Sequence, residues 1–293
     1  MKPRTIAHIS VLMANIIFAL NYSVVKYVSP ALLKPFGLNV ARVLVTTSLF
    51  WVMAAFEKTP LLPRRKDLPL LVICSLTGVV INQLLFIKGL SMTYSTHASL
   101  MQLSTPVMIT IVAFFFLGER ITILKAIGLL LGISGSTLLI MSKEHQGGGT
   151  HVMLGNILIL LNAISYAFYF VLVKPLMSQY TPLQVIRWVF TLGSMVIIPL
   201  GWSEFIEAPW SAFSMTDMAA ISFIVLGATF FAYLFNMHGL RHLKASATGS
   251  YIYLQPIIAA VVAMLFLSEP FTTAKAVSGM LIFSGVFLVN LRS

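Results

Sequence analysis

The chain has 293 residues, 58% of them apolar and only 9% charged, and its 19 Lys and Arg against 8 Asp and Glu give a net charge of +11. Soluble domains are about 25% charged, so this composition, with a mean hydropathy of +0.94, excludes an ordinary globule in water and points to lipid as the solvent. A pI near 9.9 would suit nucleic acid only if the positive charge were gathered on a solvated face; the basic residues instead sit in short breaks between apolar runs, so no nucleic-acid partner is expected.

A hydrocarbon core about 30 Å thick takes about 20 apolar residues per helix. Windows of that size predict ten spans, at 6–25, 36–56, 68–88, 96–117, 121–141, 153–173, 183–202, 218–238, 246–267 and 273–291. The first leads into further spans rather than to a small-residue cleavage site, so it is expected to be retained. On span one Asn15, Phe18 and Tyr22 share a helical face, with Asn21 on its flank. Arg42 lies near the start of span two, where it can attract a carboxylate or phosphate or snorkel to headgroups. Span three carries Cys74, the single cysteine, which excludes a disulfide framework, and then Asn82 and Gln83 near its middle. Span four holds His97 near one end, then Met101 and Gln102, and Pro106 inside the apolar run, a bending point or a static kink.

The Gly118-Glu119-Arg120 break separates spans four and five, and Glu119 there, like Glu269 between spans nine and ten, reads as a structural carboxylate at a helix end. Residues 144–152, with Gly147, Gly148 and Gly149, read as a linker between halves. Span six repeats the face of span one with Asn162, Ser165, Tyr166 and Tyr169. Arg187 opens span seven, Tyr233, Asn236 and His238 lie on span eight, and Tyr251, Gln255 and Pro256 on span nine. His97 and His238 are the candidate pH-sensitive groups, since an imidazole titrates near neutrality. Spans five and ten carry Gly128, Gly132, Gly135, Gly279 and Gly285 but little polar chemistry, as suits scaffold or the surface of a homodimer.

Basic residues orient the chain. With the N-terminus inside, twelve Lys and Arg fall in inner segments and only Lys26, Lys34, Lys143 and Lys275 in outer ones, so both termini are expected in the cytoplasm of an inner or plasma membrane. A shift of 150 residues places Gly89-Leu90 on Gly239-Leu240, Pro106 on Pro256, Glu119 on Glu269 and Gly135 on Gly285. Each half then holds five spans, an odd number, so the halves insert in opposite senses, the plan of many secondary transporters. The expected division is residues 1–143, the linker 144–152, and residues 153–293.

The run Ile17 to Lys26, Arg42, Gly89-Leu90 through Pro106 and Leu117 to Arg120, with Tyr253 to Pro256 and Leu267 to Pro270, resembles the drug/metabolite transporter superfamily, in particular its EamA-type ten-helix exporters. The resemblance implies that spans three, four, eight and nine line a translocation path with spans one and six, giving Asn15, Phe18, Asn21, Asn82, Gln83, Met101, Gln102, Tyr166, Tyr169, Tyr233, Asn236, Tyr251 and Gln255 as candidate substrate contacts. It further implies export of a small organic solute, with an amino acid or related metabolite leading and an antiporter of phosphorylated or nucleotide sugars as the alternative. A noncatalytic membrane assembly protein is the reading from another class. No phosphate-binding GxxxxGK[ST] loop, HExxH or GxSxG is present, so neither an enzyme, a metal nor a cofactor is expected.

Overall fold

The structure, a computed structural model, describes residues 3–57, 60–117, 122–141, 151–243, 251–266 and 272–290; these are mostly helical, with no strand among them. Ten helical rods follow the ten expected spans. Span one is Pro3–Val28 and span two Pro35–Ala55. Span three joins Leu68–Ser75, a π-helical segment Leu76–Val80 and Ile81–Met92. Span four is broken into Ser95–Gln102 and Thr105–Leu117, and span five is Ile123–Met141. Span six is Val152–Leu172 and span seven Pro182–Ile206. Span eight repeats the π-helical device of span three, with Met215–Ser222, Phe223–Phe231 and Ala232–His242. Span nine is Leu254–Phe266 after a short 3-10 turn, and span ten is Thr273–Asn290. Seven of these helices are long and apolar enough to cross a membrane by length and composition.

The expected linker residues 144–150, and Glu119 and Glu269, lie outside the described residues. The start and far faces are defined here by span one, which begins at the start face and ends at the far face.

Helix starts follow local chemistry. Pro35 opens span two directly after extended Lys34, and proline suits a first turn because the N–H it lacks has no intrahelical partner there. Span seven starts with Pro182 behind a capping box in which Thr181 and Gln184 satisfy each other's backbone N–H groups, and Ser214 and Asp217 do the same for span eight.

The halves interlock. Span one packs against spans eight and nine, and span six against spans three and four, so each half's first helix sits in a groove of the other half. Spans two and seven pair with each other, as do spans five and ten. Lipid offers no hydrophobic gain for such contacts, so close backbone approach and interhelical hydrogen bonds must hold them. Gly89 faces the Gly155 carbonyl where spans three and six cross, and its repeat partner Gly239 faces Val11 where spans eight and one cross. Gly37 lies against the backbone of Glu204, and Gly201 against the Phe36 carbonyl. Spans five and ten, read from sequence as scaffold or dimer surface, use their glycines on each other: Gly135 meets Ser278, Leu281 and Ile282, and Gly285 meets Gly128 and Gly132.

Carboxylates fasten the second helix pair at both ends. Glu204, at the end of span seven, accepts hydrogen bonds from the backbone N–H groups of Phe36 at 2.8 Å and Gly37 at 3.0 Å, the start of span two. Glu57, just past span two, accepts one from the hydroxyl of Thr181 at 3.4 Å, the start of span seven. Each acid thus stands at the positive end of the other helix's dipole.

A Cβ added at Gly285 would come within 2.5 Å of the Gly128 carbonyl oxygen and 2.6 Å of the Gly132 nitrogen. Neither backbone can retreat without separating the helices. Gly285→Ala is therefore expected to destabilise the protein by about 1–3 kcal/mol, read as a lower midpoint of thermal unfolding in detergent; an unchanged midpoint would contradict this packing.

Candidate functional site

The two π-helical segments organise the interior. A π turn leaves backbone carbonyls without their usual helical partners, and such turns recur at functional sites. In span three Ser165 of span six donates to the Thr77 carbonyl at 2.7 Å, while Gly78 leaves room that the Tyr169 ring fills. In span eight the Thr229 hydroxyl donates to the Ile224 carbonyl at 2.8 Å and accepts from Arg42 Nε at 2.8 Å. Arg42 is therefore held inside the bundle by a neutral hydroxyl.

Around it gather Tyr233 and Gln83, residues at equivalent positions of the two repeats. The Tyr233 hydroxyl accepts from the Gln83 amide and is near enough to the Arg42 guanidinium to interact with its charge. Phe18 and Phe190 set their rings edge-on to Tyr233, at 6.4 and 5.1 Å between centroids. Tyr166 and Tyr169 stand 6.0 Å apart on span six, and Asn236 Nδ2 donates to the Tyr166 hydroxyl at 3.0 Å. Six of the candidate contacts and one candidate charge thus converge from spans one, two, three, six and eight.

Two amide couples flank this centre. Gln255 of span nine donates to Asn15 of span one at 2.6 Å and accepts from Tyr22 at 3.1 Å. Gln102 of span four donates to Asn162 of span six at 3.1 Å, and Asn162 donates to the Asn82 carbonyl at 2.7 Å. Asn15 and Asn162 are 147 residues apart, so one bond pattern is built twice between the first helix of each half and the fourth helix of the other. Asn82 takes part through its main chain. Buried Asn21 leaves Oδ1 without a hydrogen-bond partner, and Met101 is fully enclosed in an apolar cluster.

The remaining candidates lie toward the faces. His97 is buried at the far-face end of span four, with Nδ1 3.0 Å from Asn156 Nδ2 and its ring 5.2 Å from that of Tyr94. His238 is near the end of span eight, 4.7 Å from the ring of His242. Tyr251 meets His8 Nδ1 at 3.0 Å at the start face. Arg187, fully buried, donates to the Leu61 carbonyl at 2.9 Å and sits 4.8 Å over the Trp51 ring, tying down the segment after span two.

Pro106 is the second residue of the helix that follows the break at Leu103 and Ser104, and Pro256 the third residue of Leu254–Phe266. Both stand at helix starts rather than within a continuous rod, because a first turn is where a missing N–H costs least. Lys26, placed by the sequence among the outer basic residues, turns inward: its Nζ donates to the Thr93 carbonyl at 2.7 Å and to those of Leu90 and Ser91 at 3.4 and 3.5 Å. The free carbonyls at the end of span three attract it more than the interface does.

Sequence reasoning passed over a further pair. At the far face the Tyr27 hydroxyl, from span one, donates to Asp217 at 2.6 Å, at the start of span eight. At the start face the Tyr180 hydroxyl, just after span six, donates to Asp67 at 2.6 Å, at the start of span three. Burial and the Asp67 carboxylate raise the Tyr180 hydroxyl above its ordinary range, so it stays protonated and donates. Asp67 and Asp217 are 150 residues apart, the shift that relates the repeats, and that spacing was the available signal. The structure therefore holds one matching Tyr–Asp hydrogen bond toward each face.

Comparison with known proteins agrees with this architecture. The profile of the EamA-like transporter family matches residues 5–141 and again 153–291. A probable terminal-alkyne amino-acid exporter of Streptantibioticus cattleyicolor is 30% identical over 88% of this chain and 84% of its own length. An uncharacterized transporter of Bacillus subtilis, YetK, is 25% identical over 86% of this chain and 76% of its own, and an uncharacterized inner membrane transporter of Salmonella typhimurium, YicL, is 27% identical over 80% and 76%. A solved crystal structure superposes over 97% of this chain and 95% of its own with a TM-score of 0.64 at 16% identity, a likeness of fold alone. Matched by the family profile in both halves of its length, the chain belongs to the EamA-like transporter family.

Proposed function

We propose that this transporter is a secondary carrier that exports a small organic metabolite, an amino acid or related compound, by alternating access between two inverted five-helix repeats, residues 1–143 and 153–293. The observation that carries the reading is the matched Tyr–Asp closure at each face, because a carrier must open one end of its path while the other stays shut. Similarity to the probable terminal-alkyne amino-acid exporter supports the substrate class. The substrate path runs among Phe18, Gln83, Tyr166, Tyr169, Tyr233 and Asn236, with the amide couples of Asn15 with Gln255 and Gln102 with Asn162 as its side walls. Pro106 and Pro256 mark where the broken helices bend. Both chain ends face the cytoplasm, as the basic residues of the inner segments argue. The chain carries out no catalysis and needs no cofactor; the solute gradient or proton exchange drives it. A carrier of phosphorylated sugars would bring several cations to the centre, whereas Arg42 reaches it and Arg187 holds the segment after span two.

Proteoliposomes preloaded with labelled amino acids, cationic drugs or sugar phosphates, with and without a pH gradient, test the reading. Saturable exchange of an amino acid, lost on Tyr169→Ala or Asn21→Ala with the fold intact, is the expected result. Inert vesicles across the whole panel, with folded and inserted protein, would sink the carrier.

The closures have their own test. In a Cys74→Ala background, Phe18→Cys places a thiol beside Tyr233. Tyr27→Phe is expected to raise its labelling by an impermeant maleimide several-fold from the far face alone, and Tyr180→Phe from the start face alone. Equal labelling in all three proteins would remove the closures from the mechanism.

A further inference from the structure

Arg42 is 4% exposed, yet its one hydrogen bond in the structure goes to the neutral hydroxyl of Thr229, and Nη1 has no partner. Arginine keeps its charge in any protein environment, and a buried charge is costly unless it is paired. The described acids are all engaged at helix ends: Glu57 with Thr181, Asp67 with Tyr180, Glu204 with the start of span two, Glu207 with Lys34, and Asp217 with Tyr27 and Ser214. Among the described residues no carboxylate answers Arg42.

Its surroundings are unfinished in the same way. Gln83, 1% exposed, turns its amide N–H to the Tyr233 hydroxyl and leaves Oε1 without a partner, and Asn39, one turn before Arg42 and fully buried, leaves Oδ1 unmatched. Asn39 and Gln83 are neighbours, since Asn39 Nδ2 donates to the Gln83 carbonyl at 3.3 Å. Buried polar atoms in proteins are nearly always satisfied, so a donor at Arg42 Nη1 with acceptors at Gln83 Oε1 and Asn39 Oδ1 describes the complement of a ligand. Tyr233, which meets Gln83, carries the ring of Phe18 edge-on at 6.4 Å.

We infer that Arg42, with Gln83 and Asn39, forms the binding site for a solute carrying a single carboxylate, whose charge the guanidinium receives while the two amide oxygens take a neighbouring ammonium and the rings take its apolar remainder. One guanidinium balances one carboxylate, whereas a phosphate dianion would leave a second charge unanswered. A guanidinium also presents parallel N–H donors that fit the two oxygens of a carboxylate. The inference rests on the carrier reading for its transport consequence, although binding can be read without movement.

The test uses the full chain in nanodiscs and in proteoliposomes, with phenylalanine and leucine as probes, their carboxamides as matched neutral-end analogues, and chloride and glucose 6-phosphate as other anions. At least one amino acid is expected to raise the thermal midpoint and to exchange across vesicles, with its carboxamide at least tenfold weaker. Arg42→Gln is expected to abolish that preference with at least a tenfold loss for the acid, and Arg42→Lys to keep part of it. Ligand-free Arg42→Gln is expected to melt no lower than the parent, since it removes an unanswered charge, whereas a merely structural arginine would leave a marked drop.

Carboxamides binding as well as acids, unchanged binding in Arg42→Gln, a chloride shift equal to that of the acids, or no binding by any amino acid would each overturn the site. Exchange of an uncharged or cationic solute, undiminished in Arg42→Gln, would overturn the site and keep the carrier. Arg42-dependent binding of acids with no movement across vesicles would keep the site and overturn the carrier.

Discussion

A bilayer interior offers no water to a polar group, so each backbone carbonyl, amide and charge inside it must find its partner within the protein. Most of this structure is an answer to that constraint. Lys26 takes the carbonyls that end span three, Glu204 takes the N–H groups that begin span two, and Ser165 and Thr229 take carbonyls released by the π-helical turns. Each such bond between helices is worth only about 0.6 kcal/mol on average in membranes. Their value lies as much in where they hold a helix as in how strongly. The same constraint singles out the buried groups left unanswered, among them atoms of Arg42, Arg187 and Gln83.

The repeats are alike at their edges and unlike at their centre. Tyr27 with Asp217 mirrors Tyr180 with Asp67, and Asn15 with Gln255 mirrors Asn162 with Gln102. At the middle, however, Gln83 stands where the other half has Tyr233. Duplication supplies a framework that works equally in both orientations, while the solute is asymmetric and needs different groups at its two ends.

The sequence made the framework legible because span length, charge at helix ends and the 150-residue shift are properties of the chain alone. The described rods follow the expected spans, with residues 246–250 at the start of span nine outside the described residues, and the glycines of spans five and ten do meet in a close helix contact. Which polar residues share a neighbourhood was less accessible. Tyr251 reads as a substrate contact by residue type but meets His8 at the start face, because a helical face says nothing about which neighbour covers it. The π-helical segments left no periodicity signal, since one extra residue per turn rotates everything after it and Thr229 and Tyr233 come to face Arg42 only as a result. The Tyr–Asp pairs were hidden differently, each residue being ordinary until set beside its counterpart in the other repeat.

The matched pairs also bear on direction. On the carrier reading proposed above, opening the far end frees the Tyr27 hydroxyl from Asp217, which Ser214 still holds, and opening the start end frees Asp67 from Tyr180, whose hydroxyl the Arg64 N–H still reaches. The two ends share one bond and differ in its company. The balance between the open forms is then set by those unequal surroundings together with the solute on either side.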